Sequence, residues 1–513
     1  MPTQLARWAR WATALDLSEV PADVLHRARL RQLSVAGAAR ASAAGTTAQA
    51  LLAAGPTRGS CNLVGTDRTL PRREAVRYHV AAVESCAFDD HLFHAPAGAG
   101  AVAAGWAWAR ERSLGELLLA SVIGMELAGR LALACTFTPR PGPAWGAVQA
   151  LATAAAGARL AGLTPEATAH ALALAIAGAG ITSWPALLGR GRGAALSAAA
   201  LVGLDAVDQA AQGLEGPTHL LDTDAGWFAD AEVALPLRGA LDDLDERWVT
   251  RALAHGLTPG SVHLQVPVEG VHEILRRHLK AAEKRLRSDQ VDRIVLRTSM
   301  NAWSMERLAA GVPDAMTHSV ARSVAALIVA HELGPAQHEP AWQAEHQVAL
   351  DDLAARVTVE HHWPATVAML EHLLAHTLPF VDDTRALLGA VERMLPDLPR
   401  PGLPRDSREW VALLKQRPDR LLRRLLAQDA EAPDLSAWRY DFRAEIKLYT
   451  TRGGWWPERR DAPEGSNGWP PERNEAGVFD KLAQGHAARR EAAPGLLERP
   501  LDTAGTAWLD ALR

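Results

Sequence analysis

The sequence predicts a mainly α protein in which a large all-α helical domain is joined to a smaller α+β domain. Three observations carry this reading. Across residues 13–213 apolar side chains recur at i, i+3 and i+4 between Gly and Pro breaks. Period-2 alternation enters only after the composition changes near His255-Gly256-Leu257-Thr258-Pro259-Gly260. At 513 residues the chain is also too long for one compact core.

The elements follow in order. Residues 1–17 carry Arg and Trp in a helical pattern with no uninterrupted apolar core or cleavage site, so they read as a helix rather than a signal peptide. Pro21 suits the first turn of the next helix. Ser113 and Glu116 form a capping-box pattern, and Thr164-Pro165-Glu166 places a capping hydroxyl, a first-turn Pro and a dipole-matching acid together. The run 147–163 is rich in Ala rather than Leu, which fits a tightly packed core helix and not a membrane span. Beyond residue 256 the pattern predicts a helix over 268–287 and strands over 291–298, 354–360 and 442–451. A helical, Leu/Arg-rich insertion at about 364–437 separates the last two strands. After Trp469-Pro470-Pro471 the helical pattern returns. The expected organisation is thus a helical domain of residues 1–255 completed by 470–513, and an α+β domain of 256–469.

Charge and cysteine content narrow the function classes. A net charge of -5 without any Lys/Arg run gives no footprint for nucleic acid. Cys61, Cys86 and Cys135 show no CxxC spacing, so neither a disulfide framework nor a zinc site is implied, and the expected compartment is the reducing cytoplasm. The only lysines are Lys280, Lys284, Lys415, Lys447 and Lys481.

The densest chemistry lies in Ala87-Phe88-Asp89-Asp90-His91-Leu92-Phe93-His94, with two carboxylates and two imidazoles within six residues. Burying such groups is costly unless each finds a partner, so a site is the sharper reading and a polar inter-helix loop the plainer one. His91 and His94 are the candidate acid/base groups, because an unperturbed imidazole titrates near about 6.5, and Asp89 and Asp90 are placed to orient them. Arg190 and Arg192, spaced by glycines, are candidates for holding a substrate anion, against the plainer reading of a surface turn. Ser261 and His263, with Gln265, alternate after the domain junction and would face one side of an extended segment. Trp145, with Trp184, is a candidate wall for an apolar pocket. His318, on an Ala-rich segment predicted helical, is a further substrate-side candidate, with a satisfied core histidine as its plainer reading. No later cluster completes a metal-ligand set around the loop.

The order of these segments resembles the MmgE/PrpD family, which includes 2-methylcitrate dehydratase, cis-aconitate decarboxylase and an iminodisuccinate epimerase. The resemblance rests on Ala87-Phe88-Asp89-Asp90 with His94, on residues 116–130, on 150–163 with Thr164-Pro165-Glu166, on Leu214-Glu215-Gly216-Pro217 and on 317–333. It implies a helical main domain plus an α+β lid, a homodimer, a small-molecule substrate bound between the domains, and no metal or cofactor. It also marks departures. The family's first loop Asp falls on Ala87, its Thr on His91, its Gly-loop His on Pro143 and its lid Tyr near Ala321. One family Lys falls near Arg190 or Arg192 and the other on Gly256; since no lysine precedes Lys280, no shift of alignment restores either.

What the resemblance implies is therefore a lyase or isomerase whose substrate is less anionic and more apolar than citrate-type acids. It would carry out dehydration, decarboxylation, isomerisation or cyclisation. The alternative is a non-catalytic relative, with the 364–437 insertion as its working surface.

Overall fold

The computed structural model describes residues 2–93, 95–96, 98–138, 142–312, 314–381 and 434–513. His94 and most of the expected insertion, residues 382–433, lie outside the described residues. The chain forms two compact units, residues 1–257 with 471–513 and residues 258–470.

The first unit is built from helices whose small residues permit close packing. Leu114–Ala134 starts at the expected capping box, where Glu116 N–H donates to Ser113 Oγ and Ser113 N–H donates to Glu116 Oε2 at 2.8 Å. Thr164 caps Pro165–Ala179 in the same way. Leu114–Ala134 and Arg192–Ala211 have the length and hydropathy of membrane spans, but 100% and 56% of their apolar windows are buried, as in core helices. Trp145–Ala161 packs between these two helices. A methyl group on Gly203 would sit 2.1 Å from the Ala150 carbonyl oxygen, and one on Gly124 would sit 2.7 Å from the Ala152 oxygen. Glycine at both positions is what lets the backbones meet.

Two further helices frame the polar loop. Ala22–Ser42 is buried along most of its length, and Arg72–Glu84 leads into the Asp-Asp-His segment. The helix Pro471–Ala483, which opens the returning segment, packs on Ala22–Ser42. Their approach is close: a Cβ on Gly37 would lie 2.7 Å from the Lys481 carbonyl oxygen.

The second unit carries a four-stranded sheet in the order 357–361, 291–298, 444–450, 455–460. Val291–Thr298 pairs parallel with Val357–His361 and antiparallel with Ala444–Thr450, which turns back through Gly453 into Trp455–Arg460. That last strand was not predicted. Trp455-Trp456-Pro457 lacks clean alternation, and Pro457 is tolerated because this is an edge strand with one side unpaired. The helix predicted over 268–287 runs instead over Val262–Ala282, passing through Pro267 and ending where Glu283 turns left-handed at φ 54. Trp363–Thr377 opens the expected insertion as a helix.

Candidate functional site

In the first unit, Asp90 is the centre of a buried polar node. Its carboxylate is ion-paired with Arg31 Nη1 at 3.1 Å and accepts from Ser34 Oγ at 2.5 Å, His255 Nδ1 at 3.0 Å and Gly256 N at 3.0 Å. Burial alone would raise its pKa, but His255, Arg31 and Lys481 reverse this and hold the group well below the usual carboxylate range. An ionised carboxylate only accepts, so the proton of His255 is fixed on Nδ1 and Nε2 is left as the basic nitrogen. This is the carboxylate-oriented imidazole of general acid/base sites. Sequence reasoning looked for that partner in His91 or His94; among the described residues His255 stands at the Asp90 carboxylate.

Asp89 plays a different part. It is ion-paired with Arg31 Nη2 at 3.0 Å and accepts from the backbone N–H groups of Asp90 at 2.8 Å and Ala99 at 3.1 Å, the last in the first turn of Ala99–Ala107. Arg31 thereby joins the two carboxylates on one guanidinium. Beside Asp89, burial pushes the carboxyl of Glu84 up to about 7 against the pull of Arg192. Glu84 in turn accepts from Gln149 Nε2 at 2.9 Å and from Arg192 Nε at 3.0 Å and Nη2 at 2.8 Å. Glu84 thus holds its proton close to neutral pH.

His91 does not keep an unperturbed imidazole. Burial, followed by the nearby charge of Arg192, pushes it down to about 3, so it is neutral at physiological pH and is a poor proton acceptor there. Its backbone forms a two-way bridge with Ala254, N to O at 2.8 Å and 2.9 Å, which pins the segment carrying His255 beside the loop.

Arg192 is buried at the first position of its helix and already holds Glu84, so only part of its guanidinium remains for a ligand. That part is Nη1, which has no acceptor among the described residues, and the buried Trp145 Nε1 beside it has none either. The guanidinium carbon lies 4.9 Å from the centre of the Trp145 ring, and Trp184 meets Trp145 edge-on at 6.0 Å. Arg190, by contrast, is exposed in the turn before the helix.

Lys481 corrects the expectation that lysine is absent from this site. It arrives through the fold, from the last 43 residues of the first unit, and not through sequence order. Nζ donates to Gly256 O at 2.7 Å and to Phe88 O and Ser34 Oγ at 2.9 Å each, lies 3.8 Å from Asp90 Oδ1, and sits 4.1 Å from the centre of the Phe88 ring. Gly256, the position on which the resemblance placed a lysine, receives its cation at the backbone oxygen. Burial pushes this amine down to about 8, with Asp90 and Asp89 opposing.

The second unit gathers Ser261, His263 and His318. They do not lie on an extended segment: Ser261 is the N-cap of Val262–Ala282, and His263 is in its first turn. His318 is not helical but precedes the Ser319-capped helix Val320–Ala330. Ser261 Oγ is 2.7 Å from His318 Nε2, Thr317 Oγ1 is 2.9 Å from Nδ1, and His263 Nε2 is 3.2 Å from the His318 carbonyl oxygen.

Arg31, Ser34, His255, Glu84 and Lys481 were not singled out as site residues from sequence. Arg31 and Ser34 stand three apart on an apolar helix, a spacing that puts both on one face. Lys481 carried the only other signal, as the one lysine of the C-terminal segment.

Comparison with curated proteins gives no match. Residues 6–232 match the MmgE/PrpD N-terminal domain, the stretch that includes the Asp-Asp-His loop, Trp145 and Arg192. By that match, residues 6–232 carry the N-terminal domain of the MmgE/PrpD family, and the mainly α architecture agrees with it.

Proposed function

We propose that the protein is a cofactor-independent lyase or isomerase, a cytoplasmic homodimer that moves a proton next to the carboxylate of a comparatively apolar metabolite. The observation that carries this reading is the pair of buried donors, Arg192 Nη1 and Trp145 Nε1, without acceptors among the described residues. A buried donor left unpaired costs about 1–3 kcal/mol, and a carboxylate satisfies both at once. Held there, the substrate's adjacent carbon becomes more acidic, because the guanidinium offsets the charge that develops on the carboxylate as the proton leaves. His255 Nε2, oriented by Asp90, is the group that takes and returns the proton. The Trp145 and Trp184 rings supply an apolar wall, in keeping with a substrate less anionic than citrate-type acids. The substituent on the neighbouring carbon then decides between loss of water, loss of carbon dioxide and reprotonation.

Isothermal titration with unsaturated and hydroxy carboxylic acids of increasing apolar size tests the donor pair. Trp145→Phe keeps an aromatic ring and removes the pyrrole half of the indole with its N–H, and is expected to weaken the best-binding acid at least about 5- to 10-fold, the equivalent of roughly one hydrogen bond. Equal affinity in parent and variant would remove the support for this reading.

A non-catalytic relative is the second reading, favoured by one observation. Asp90 and Lys481 satisfy one another's surroundings without any ligand. Carboxylate binding without any exchange of substrate protons is its signature.

A further inference from the structure

We propose that Lys481 is the positioning residue of the Asp90–His255 pair, fastening the segment that leaves the first unit to the helix that returns to it. The chain leaves that unit after Leu257 and re-enters it at Pro471. Both crossings are tied at one place. Gly256 gives its N–H to Asp90 and its carbonyl oxygen to Lys481, so the outgoing segment is gripped from both sides of one peptide. One turn before Lys481, Gly477 leaves room for Leu257, since a Cβ there would lie 2.3 Å from Leu257 Cδ1. His26 Nε2, 2.8 Å from Glu475 Oε1, ties the same helix to the base of Ala22–Ser42.

The three acceptors of Lys481 use all three of its ammonium protons. An amine so engaged does not attack a carbonyl or bind a substrate anion; it holds what it touches. Phe88 O fixes the residue before Asp89, Ser34 Oγ relays the contact to Asp90, and Gly256 O fixes the residue after His255. The side chain therefore sets the distance between Asp90 and His255 from outside both. Gly37 is part of the same device, because any side chain there meets the Lys481 backbone and displaces it from the node.

The inference rests on the proposed reaction only for its chemical consequence, and its readouts do not need a substrate. In the full-length protein, hydrogen exchange is measured for parent, Lys481→Met and Gly37→Ala. Exchange at the amides of His91, Ala254 and Gly256 is expected to rise at least tenfold in both variants, while the amides of Leu114–Ala134 keep their protection. The His255 Nδ1–H resonance, held by Asp90 in the parent, is expected to broaden beyond detection in both. A sharp, protected Nδ1–H in Lys481→Met, or a uniform rise in exchange across the unit, overturns the assignment. A node that loosens as expected in a protein that turns over nothing retains the positioning role and removes the reaction.

Discussion

Replacing Glu84 by Gln converts the proton held on that carboxyl into a measurable pH dependence of stability. Glu84 has its pKa raised from 4.5 to about 7 by burial, so between these values the folded state holds a proton that the unfolded chain has released. Stability from this group is therefore fully present below 4.5 and is lost as pH rises through 7. Each pH unit in that window is worth about 1.4 kcal/mol, and the whole window about 3 kcal/mol. Glutamine cannot accept from Gln149 and Arg192 on two oxygens as Glu84 does, so Glu84→Gln carries a constant cost. Its slope is the informative quantity. Urea unfolding of both proteins at pH 5, 6, 7 and 8 is expected to show the variant gaining on the parent by about 1.4 kcal/mol per unit up to pH 7, then levelling. His79 and His91 titrate in both proteins and cancel from the difference. Parallel curves would refute the argument that burial keeps this carboxyl protonated.

Three other outcomes follow from the same physics. Arg31→Met leaves Asp89 and Asp90 without their common guanidinium and is expected to cost about 3–5 kcal/mol in urea unfolding at pH 7. His79 is pushed down from 6.5 to about 3 by burial and stays neutral in the fold, where Nε2 accepts the Val64 N–H at 3.0 Å. Below pH 6.5 the unfolded chain takes up a proton there that the fold refuses, so stability falls by about 1.4 kcal/mol per unit toward pH 3, and His79→Gln should flatten the acid limb by that slope. Gly203→Ala drives a methyl into the Ala150 carbonyl oxygen and is expected to cost about 3 kcal/mol or more, read as a lowered urea midpoint with an unchanged slope.

What the sequence made legible was local. The capping pairs at Ser113 and Thr164 and the strands over 291–298 and 444–450 follow from short-range pattern, and the structure has them. The helix expected from 268 begins six residues earlier, at Val262, and passes through Pro267. The Asp89-Asp90-His91 loop was visible as a density of titratable groups, but its partners were not. Arg31 is 59 positions before Asp90, His255 is 165 after it and Lys481 is 391 after it. No periodicity relates positions so far apart; only packing does. The same limit explains His91, whose residue type suggested a near-neutral base until burial was known. It also explains the lysine, which could not be recovered by shifting an alignment because it enters from the opposite end of the chain.

The central claim is proton transfer beside a carboxylate, and it is tested most directly by solvent exchange. The protein is incubated in D2O with the acids that bind it, and deuterium incorporation and product formation are followed by 1H and 2H NMR. The account predicts label or product at the carbon next to the carboxylate, slowed at least about 100-fold in a His255→Gln protein shown to be folded. Binding without exchange in the parent, or exchange at the parent rate in His255→Gln, would contradict it.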